Sequence, residues 1–427
     1  MNLFKMGKLF ASVLFISAFT LIACEQEPEE QEQTSTIKGE IIEDDQIKII
    51  KVYGSNYEMG YAYGSLLANE ISHVIKDYIK ALFGSEYYAT AKTLATTEGN
   101  FNISQDMMDE MQGVIDALND SSANVYSLDV GDLIVANCFL DIYNMLMSIS
   151  SNTRNAGLGC SAYMSWGSAT ENTALAGESV ITRHLDWHVT HALTQNIVMC
   201  IHQPDDEDKQ PWISIGFAGL LGSLSGINEH MALFQNTMDD YSEAGPQLGQ
   251  NYTPIWFALR EAIETADYNL DGENTLLDIK DYINSNESYA TPVLISALAM
   301  ADTDENTALV TELAPTAPYI TFRNSSFPDS IAGDNLYVAN GQVARNNTYN
   351  FEDRYTAMIQ AVNAEQNISA QKSWNLMHDN SSLSHNLMVI QYVPSTGEIN
   401  LSVYDTQNNV PAYECTPYTY YFKELFE

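Results

Sequence analysis

The chain has 427 residues, 45% of them hydrophobic, enough for one large domain or two with a sizeable core. Asp and Glu number 56 against 18 Lys and Arg, a formal net charge of -38. A surface this acidic repels polyanions, which excludes nucleic acid as a partner; the charge reads as a solubility device and identifies no substrate.

Residues 1–24, "MNLFKMGKLFASVLFISAFTLIAC", read as a targeting device. Lys5 and Lys8 precede an apolar run that ends Leu21-Ile22-Ala23-Cys24, an ending that resembles the lipobox of bacterial lipoproteins. The resemblance implies lipidation at Cys24 and a place in the bacterial cell envelope, facing the periplasm or the exterior; a plain signal peptide is the alternative. Residues 25–47 open with "EQEPEEQEQ", lack periodicity and predict a disordered acidic tether. No second apolar run reaches the roughly 18 residues needed to span a bilayer, so the lipid is the one membrane contact expected.

From Lys48 the pattern becomes regular. "KIIKVYG" predicts a strand, and Tyr57 to Phe83 predicts one long amphipathic helix. Helical periodicity recurs at 104–120 and at 127–148, the second nearly all apolar and so expected to be buried. After "SSNTRNAGLG" the texture changes. Residues 160–166 alternate as a strand, "SATENTA" supplies a turn, and "ALAGESVITRHLDW" returns as a second strand. "NIVMCIHQP", "PWISIGFA" and "ALFQNTM" extend the strand-rich section, and helices follow at about 254–266 and 276–284. "VLISALAMADT", "TALVTELAP", "LYVANG" and "NLMVIQYVPSTGEINLSVYD" close the chain as strands. The sum is an α+β fold with sheets packed face to face under helices and no internal repeat. Beyond Cys24 the cysteines are Cys138, Cys160, Cys200 and Cys415, too few for a disulfide framework, and no zinc-like spacing occurs.

The stretch "GLGCSAYMSWGSATENTALAGESVITRHLDW", residues 157–187, carries the chemistry. His184, His188 and His191 lie near the end of the second strand and offer one route to an activated Cys160 thiol. The other route is scission of Gly159–Cys160, after which one residue supplies nucleophile and base. A free α-amine titrates at about 7.7–8.0 and a free thiol at about 8.5, so the two exchange a proton readily near neutral pH. Glycine before the cysteine leaves room for the thiol to attack its carbonyl.

"GCSAYMSWGSAT…GESVITRHLDW" resembles the mature start of N-terminal-nucleophile amide hydrolases, and within them the penicillin acyltransferase-like autoproteolytic family, related to choloylglycine hydrolases and penicillin V acylases. In that family the returning strand carries an arginine, a variable pair and an aspartate, here Arg183, Asp186 and Trp187, with His184 where Asn is usual. The resemblance implies that Asp186 holds the cysteine amine and that Arg183 polarises the thiol. It extends at lower density over residues 50–410. Gly54, Gly60 and Gly64 resemble the family's glycine-spaced opening, and "GLLGSLSGINEHMALFQN" resembles its stretch ending at the backbone of Asn236, an oxyanion donor. "NLYVANGQVARNNTYNFEDRY" resembles the segment of a "TNH" motif and a later arginine: Asn340 falls on the oxyanion asparagine, flanked by Ala339 and Gly341, and Arg354 falls on the arginine.

The resemblance implies an αββα four-layer sandwich with a mostly helical pro-segment over 48–159 and a catalytic domain over 160–427. It also implies cleavage of a linear N-acyl amide through a thioester on Cys160, with no cofactor required. Hydrolysis and acyl transfer to an amine both remain open, as does a binding lipoprotein that has lost activity on the same fold. The pro-segment is expected to stay bound, because the apolar helix at 127–148 would otherwise be exposed. Separately, "DYNLDGENTLLD" fits a calcium loop with ligands at Asp267, Asn269, Asp271, Glu273 and Asp278 and a turn at Gly272. Asp in place of Glu at the last position implies a weak structural calcium site; a polar helix–helix turn is the alternative.

Overall fold

The computed structural model describes residues 37–44, 46–150, 159–237, 245–286, 288–301, 307–328, 331–346 and 352–427. The targeting segment, Cys24, most of the tether and the linker 151–158 lie outside the described residues. The first part of the chain supplies strands β1 (Gly39–Asp44) and β2 (Lys48–Gly54), then helices α1 (Asn56–Leu66) and α2 (Ala68–Val74). A π-helical turn, Ile75–Lys80, leads into α3 (Ala81–Thr96), followed by α4 (Gln105–Asp120), α5 (Val130–Asn137) and α6 (Phe139–Ser150).

Next come β3 (Gly159–Ser165), β4 (Val180–Asp186), the short helix α7 (His191–Thr194), β5 (Ile197–Pro204), β6 (Trp212–Phe217), β7 (Ser225–Asn228) and β8 (Met231–Thr237). Helices α8 (Ile255–Glu264) and α9 (Leu276–Ser285) precede β9 (Val293–Ala299), β10 (Ala308–Leu313), β11 (Ile320–Arg323) and β12 (Asn335–Val338). Helices α10 (Glu352–Ala364) and α11 (Ala370–Ser381) lead to β13 (Asn386–Val393), β14 (Glu398–Val403), β15 (Tyr418–Tyr421) and the terminal α12 (Phe422–Phe426).

Two sheets result. One runs β1-β2-β5-β6-β7-β8-β9-β10-β11 and the other β12-β3-β4-β13-β14-β15. Both are antiparallel except where β2 lies parallel to β5. The sheets touch through β3 and β4 against β8, while α11 covers β3 and β4, and α1, α8 and α9 cover strands of the larger sheet. The fold is thus mixed helix and sheet, as the periodicities predict.

Three expectations are corrected. The tether does not run to residue 47: Gly39 to Asp44 pairs with β2, because "GEIIED" has the extended-chain residues Ile41 and Ile42 and a strand edge to join. The long helix from Tyr57 breaks at Leu67 and passes through the π turn before α3. The apolar helix at 127–148 is two helices, bent by 78° at Cys138. At the bend the Asn137 side chain bonds back to Leu133 C=O at 3.0 Å, a contact that favours bending, and also reaches Gly219 C=O at 3.1 Å. Among the described residues no single helix is long and apolar enough to cross a membrane.

Residues before and after the 151–158 linker share one core. Ile50 and Val52 of β2, fully buried, need partners on both sides of their strand and find them in β1 and β5. Helices α1 and α4 approach so closely that a Cβ at Gly60 would sit 2.0 Å from Glu110 C=O, so only glycine fits. Glu110 of α4 in turn reaches Arg260 of α8, with Arg260 Nη1 2.9 Å from Oε1, both side chains buried. Ile37 to Glu427 form one compact unit.

Candidate active site

Strands β3 and β4 pair in a register that puts Cys160 opposite Leu185, Ala162 opposite Arg183 and Gly159 opposite Asp186. Side chains alternate along a strand, and partners directly opposite share a face. Cys160 and Arg183 therefore point between the two sheets, whereas Asp186, His184 and Ser161 point toward α10 and α11. The hydrogen bond from Ser381 of α11 to Ser161 Oγ, 2.7 Å, fits that assignment.

Cys160 is wholly buried. Arg183 Nη2 donates toward its Sγ at 3.6 Å, and the same nitrogen donates to Gln235 C=O at 2.8 Å. Arg183 Nη1 donates to Ser225 Oγ at 3.2 Å. The guanidinium is buried completely, and burial lowers its pKa while the Cys160 thiol and the Asp186 carboxyl oppose that shift. Arginine stays charged in proteins nonetheless. A cation beside sulfur favours the thiolate, the nucleophilic form.

On the opposite face Arg354, at the start of α10, gathers three of the expected residues. Its Nη1 pairs with Asp186 Oδ2 at 3.0 Å; its Nη2 donates to Cys160 C=O at 2.8 Å and to Asn340 Oδ1. Asn386 Nδ2 donates to Asp186 Oδ1 at 3.0 Å. Burial pushes the Asp186 carboxyl above its ordinary range, and Arg354 and Asn386 pull it back. Arg354 thus carries the charge that lets a fully buried carboxylate persist. Asn340 follows β12, and both its amide atoms lie 3.3 Å from where a Cβ on Gly159 would be. A side chain at 159 would therefore crowd the Asn340 amide, which would have to shift by a few tenths of an ångström.

Asn236 sits one residue past Gln235 on β8, at the sheet face that Arg183 reaches. Its side chain bonds to Ser296 Oγ at 3.0 Å. His184 is buried and held neutral down to about 3, by burial first and then by Arg354, His378 and Arg183. Neutral and on the far face of the strand from Cys160, it does not form a thiol–imidazole couple. His188 Nδ1 lies 3.0 Å from Tyr78 OH, and His191 is exposed.

The calcium-like residues are elsewhere, between α8 and α9. Asp267 accepts from the N–H groups of Asp271 and Gly272 at 3.1 and 2.8 Å, and Asp271 accepts from Glu273 N–H. Asn269 accepts from Asp271 N–H, and Asp278 caps α9 through Thr275 N–H at 2.8 Å while accepting from Asn269 N–H. Among the described residues no three His, Cys, Asp or Glu side chains gather as a metal site.

Ser225, Gln235, Ser381 and Asn386 take part in the site without having been singled out. Ser225 and Gln235 fall inside the glycine-rich stretch already noted, but nothing in that stretch marks a hydroxyl and a carbonyl as arginine acceptors.

Fold and site together define a mixed sheet-and-helix protein with a buried thiol, one guanidinium at its sulfur and another at its carbonyl. No family model matches this chain. Among curated proteins, protein dcd1B of Dictyostelium discoideum is 22% identical over 329 residues, covering 69% of this chain and 56% of that protein. Protein dcd1A of the same organism is 23% identical over 244 residues, covering 52% and 50%. The chain thus spans about half the length of the curated relatives it matches. Among solved structures, an N-acylethanolamine-hydrolyzing acid amidase ortholog from Caenorhabditis elegans aligns with a TM-score of 0.40 and 14% identity over 61% of this chain and 100% of that one. A mutant of conjugated bile acid hydrolase from Clostridium perfringens aligns with a TM-score of 0.34 and 12% identity over 60% and 96%.

Proposed function

We propose that this chain is a self-processing amide hydrolase of the N-terminal-nucleophile class, of penicillin acyltransferase-like type, with an αββα layering of its two sheets and outer helices. The observation that carries the reading is the convergence on one peptide: Arg183 at the Cys160 sulfur, and Arg354 joining the Cys160 carbonyl to Asp186 and Asn340. Neutral His184 on the other face supports a mechanism that needs no histidine.

In processing, the Cys160 thiolate attacks the Gly159 carbonyl carbon, and the peptide nitrogen leaves with a proton as the Cys160 amine. Water then hydrolyses the Gly159 thioester, which frees the thiol and a Gly159 carboxylate. Gly159 and Asp186 are register partners, so the new amine begins one residue along from a carboxylate. In turnover that amine takes the thiol proton and the sulfur attacks the substrate carbonyl. Asn340 Nδ2–H and the Asn236 backbone N–H are the donors to the oxyanion, each worth about 2.7–4 kcal/mol in such sites. The ammonium returns its proton to the departing amine, and water resolves the thioester. The substrate is a linear N-acyl amide. Lipidation at Cys24 would hold the enzyme at the cell envelope.

A panel of N-acyl amides tests this. Wild type should release amine in a burst and, with hydroxylamine present, yield the acyl hydroxamate that reports a thioester, while Cys160→Ala yields neither. Turnover that persists in Cys160→Ala would overturn the reading.

A further inference from the structure

The turn that leads into Ser225 is held by residues from before the proposed cut. Asn137, the last residue of α5, is 1% exposed. Its Nδ2 donates to Gly219 C=O at 3.1 Å, and its Oδ1 accepts from the N–H groups of Leu221 and Gly222 at 2.7 and 3.0 Å. Tyr63 of α1 accepts from Gly219 N–H at 3.1 Å. Arg260 donates to Leu221 C=O at 2.8 Å while paired with Glu110 of α4. The amide suits this point because its nitrogen donates to a carbonyl while its oxygen, with two lone pairs, accepts from two N–H groups.

From Gly222 the chain continues through Ser223, whose N–H donates to Trp256 C=O at 2.9 Å, and Leu224, whose C=O accepts from Gln235 N–H at 3.1 Å. Then comes Ser225. Ser225 Oγ and Gln235 C=O are the acceptors that hold Arg183 beside the Cys160 sulfur. A continuous path of hydrogen bonds and backbone therefore joins Asn137 to the nucleophile.

Resting on the reading above, we propose that Asn137 is a positioning residue of the active site, moulding the 219–225 turn that sets Arg183. Without the amide, three backbone polar groups at Gly219, Leu221 and Gly222 lose their partner in the interior, and the turn moves to recover one. Arg183 moves with it. A misplacement of about 1 Å at a reacting group costs roughly 100-fold in rate.

The test compares wild type, Asn137→Leu, Asn137→Asp and Tyr63→Phe as full-length chains. The deciding readout is the pH midpoint of the Cys160 thiolate ultraviolet absorbance, taken as the difference between each variant and the same variant carrying Cys160→Ala, which does not require a reagent to reach the buried sulfur. Asn137→Leu should move that midpoint upward as the guanidinium leaves the sulfur, and lower kcat by roughly 100-fold with a smaller change in KM. Asn137→Asp keeps the two acceptor bonds and should recover part of both. Tyr63→Phe removes one hydroxyl and should shift both less, in the same direction; it decides the matter if Asn137→Leu does not fold. An unchanged midpoint in folded variants overturns the proposal, whatever the rate. Should wild type be neither cut nor active on amides, the proposed function falls, and the Cys160 midpoint still decides the role of Asn137.

Discussion

Replacing Arg260 with methionine probes how the first 150 residues are fastened to the rest. Arg260 is fully buried; it holds Glu110 of α4 through both terminal nitrogens and Glu264 through Nε at 3.2 Å. The substitution leaves two buried carboxylates, of which Glu264 keeps Lys209 at 3.3 Å and Glu110 loses the guanidinium that pairs with it. Breaking one side of a buried pair costs about 3–5 kcal/mol. Burial already holds the Glu110 carboxyl above its ordinary range in spite of Arg260, and loss of the guanidinium lifts it further. A carboxyl raised in this way binds its proton more tightly folded than unfolded. Its contribution is complete below the unfolded value of about 4.3 and is lost as pH climbs through the folded value. Because that window reaches higher in Arg260→Met, the gap from the parent should be about 3–5 kcal/mol at pH 7.5 and smaller at pH 5. Urea unfolding in a Cys160→Ala background, which keeps one covalent chain, measures it. Adding Glu110→Met should recover more than half of the loss, since both charges are then gone. A loss below about 1 kcal/mol, or one equal at both pH values, would refute the reasoning.

Three further outcomes follow from the site. Gly159→Val places carbon against both Asn340 amide atoms, 3.3 Å from the Cβ, and should slow processing by at least about 10-fold on a time course of intact mass; full-speed cutting would contradict it. Arg183→Lys keeps the charge but loses the fork that joins Ser225, Gln235 and the sulfur, so kcat should fall roughly 100-fold, and a wild-type kcat would contradict it. His184→Gln should leave the acid limb of the kcat/KM profile where it is, because the imidazole is neutral down to about 3; loss of that limb would restore histidine as a candidate base.

Much of this was legible in the residues. Alternation placed β3 at 160–166 against the observed Gly159–Ser165, because Cys160, Ala162 and Met164 share one face while Ser161, Tyr163 and Ser165 share the other. Helix α4 was legible from Ser104 onward, where its cap and a clear apolar stripe coincide. Helix α10 was not: its inward face is little more than Met358 and Val362, too sparse to stand out among polar residues. Strand β7, only Ser225–Asn228, gives no periodicity to count. Arg354 could be placed only by resemblance, since 194 residues separate it from the carbonyl it binds. The role of Asn137 depends on a turn more than 80 residues away, which no local pattern reports.

The account stands or falls on the peptide between Gly159 and Cys160. Intact mass together with Edman sequencing of the purified, folded protein should show two chains that travel together on a sizing column, the second beginning with cysteine, and a single unbroken chain for Cys160→Ala. One uncut wild-type chain that nevertheless hydrolyses amides would contradict it.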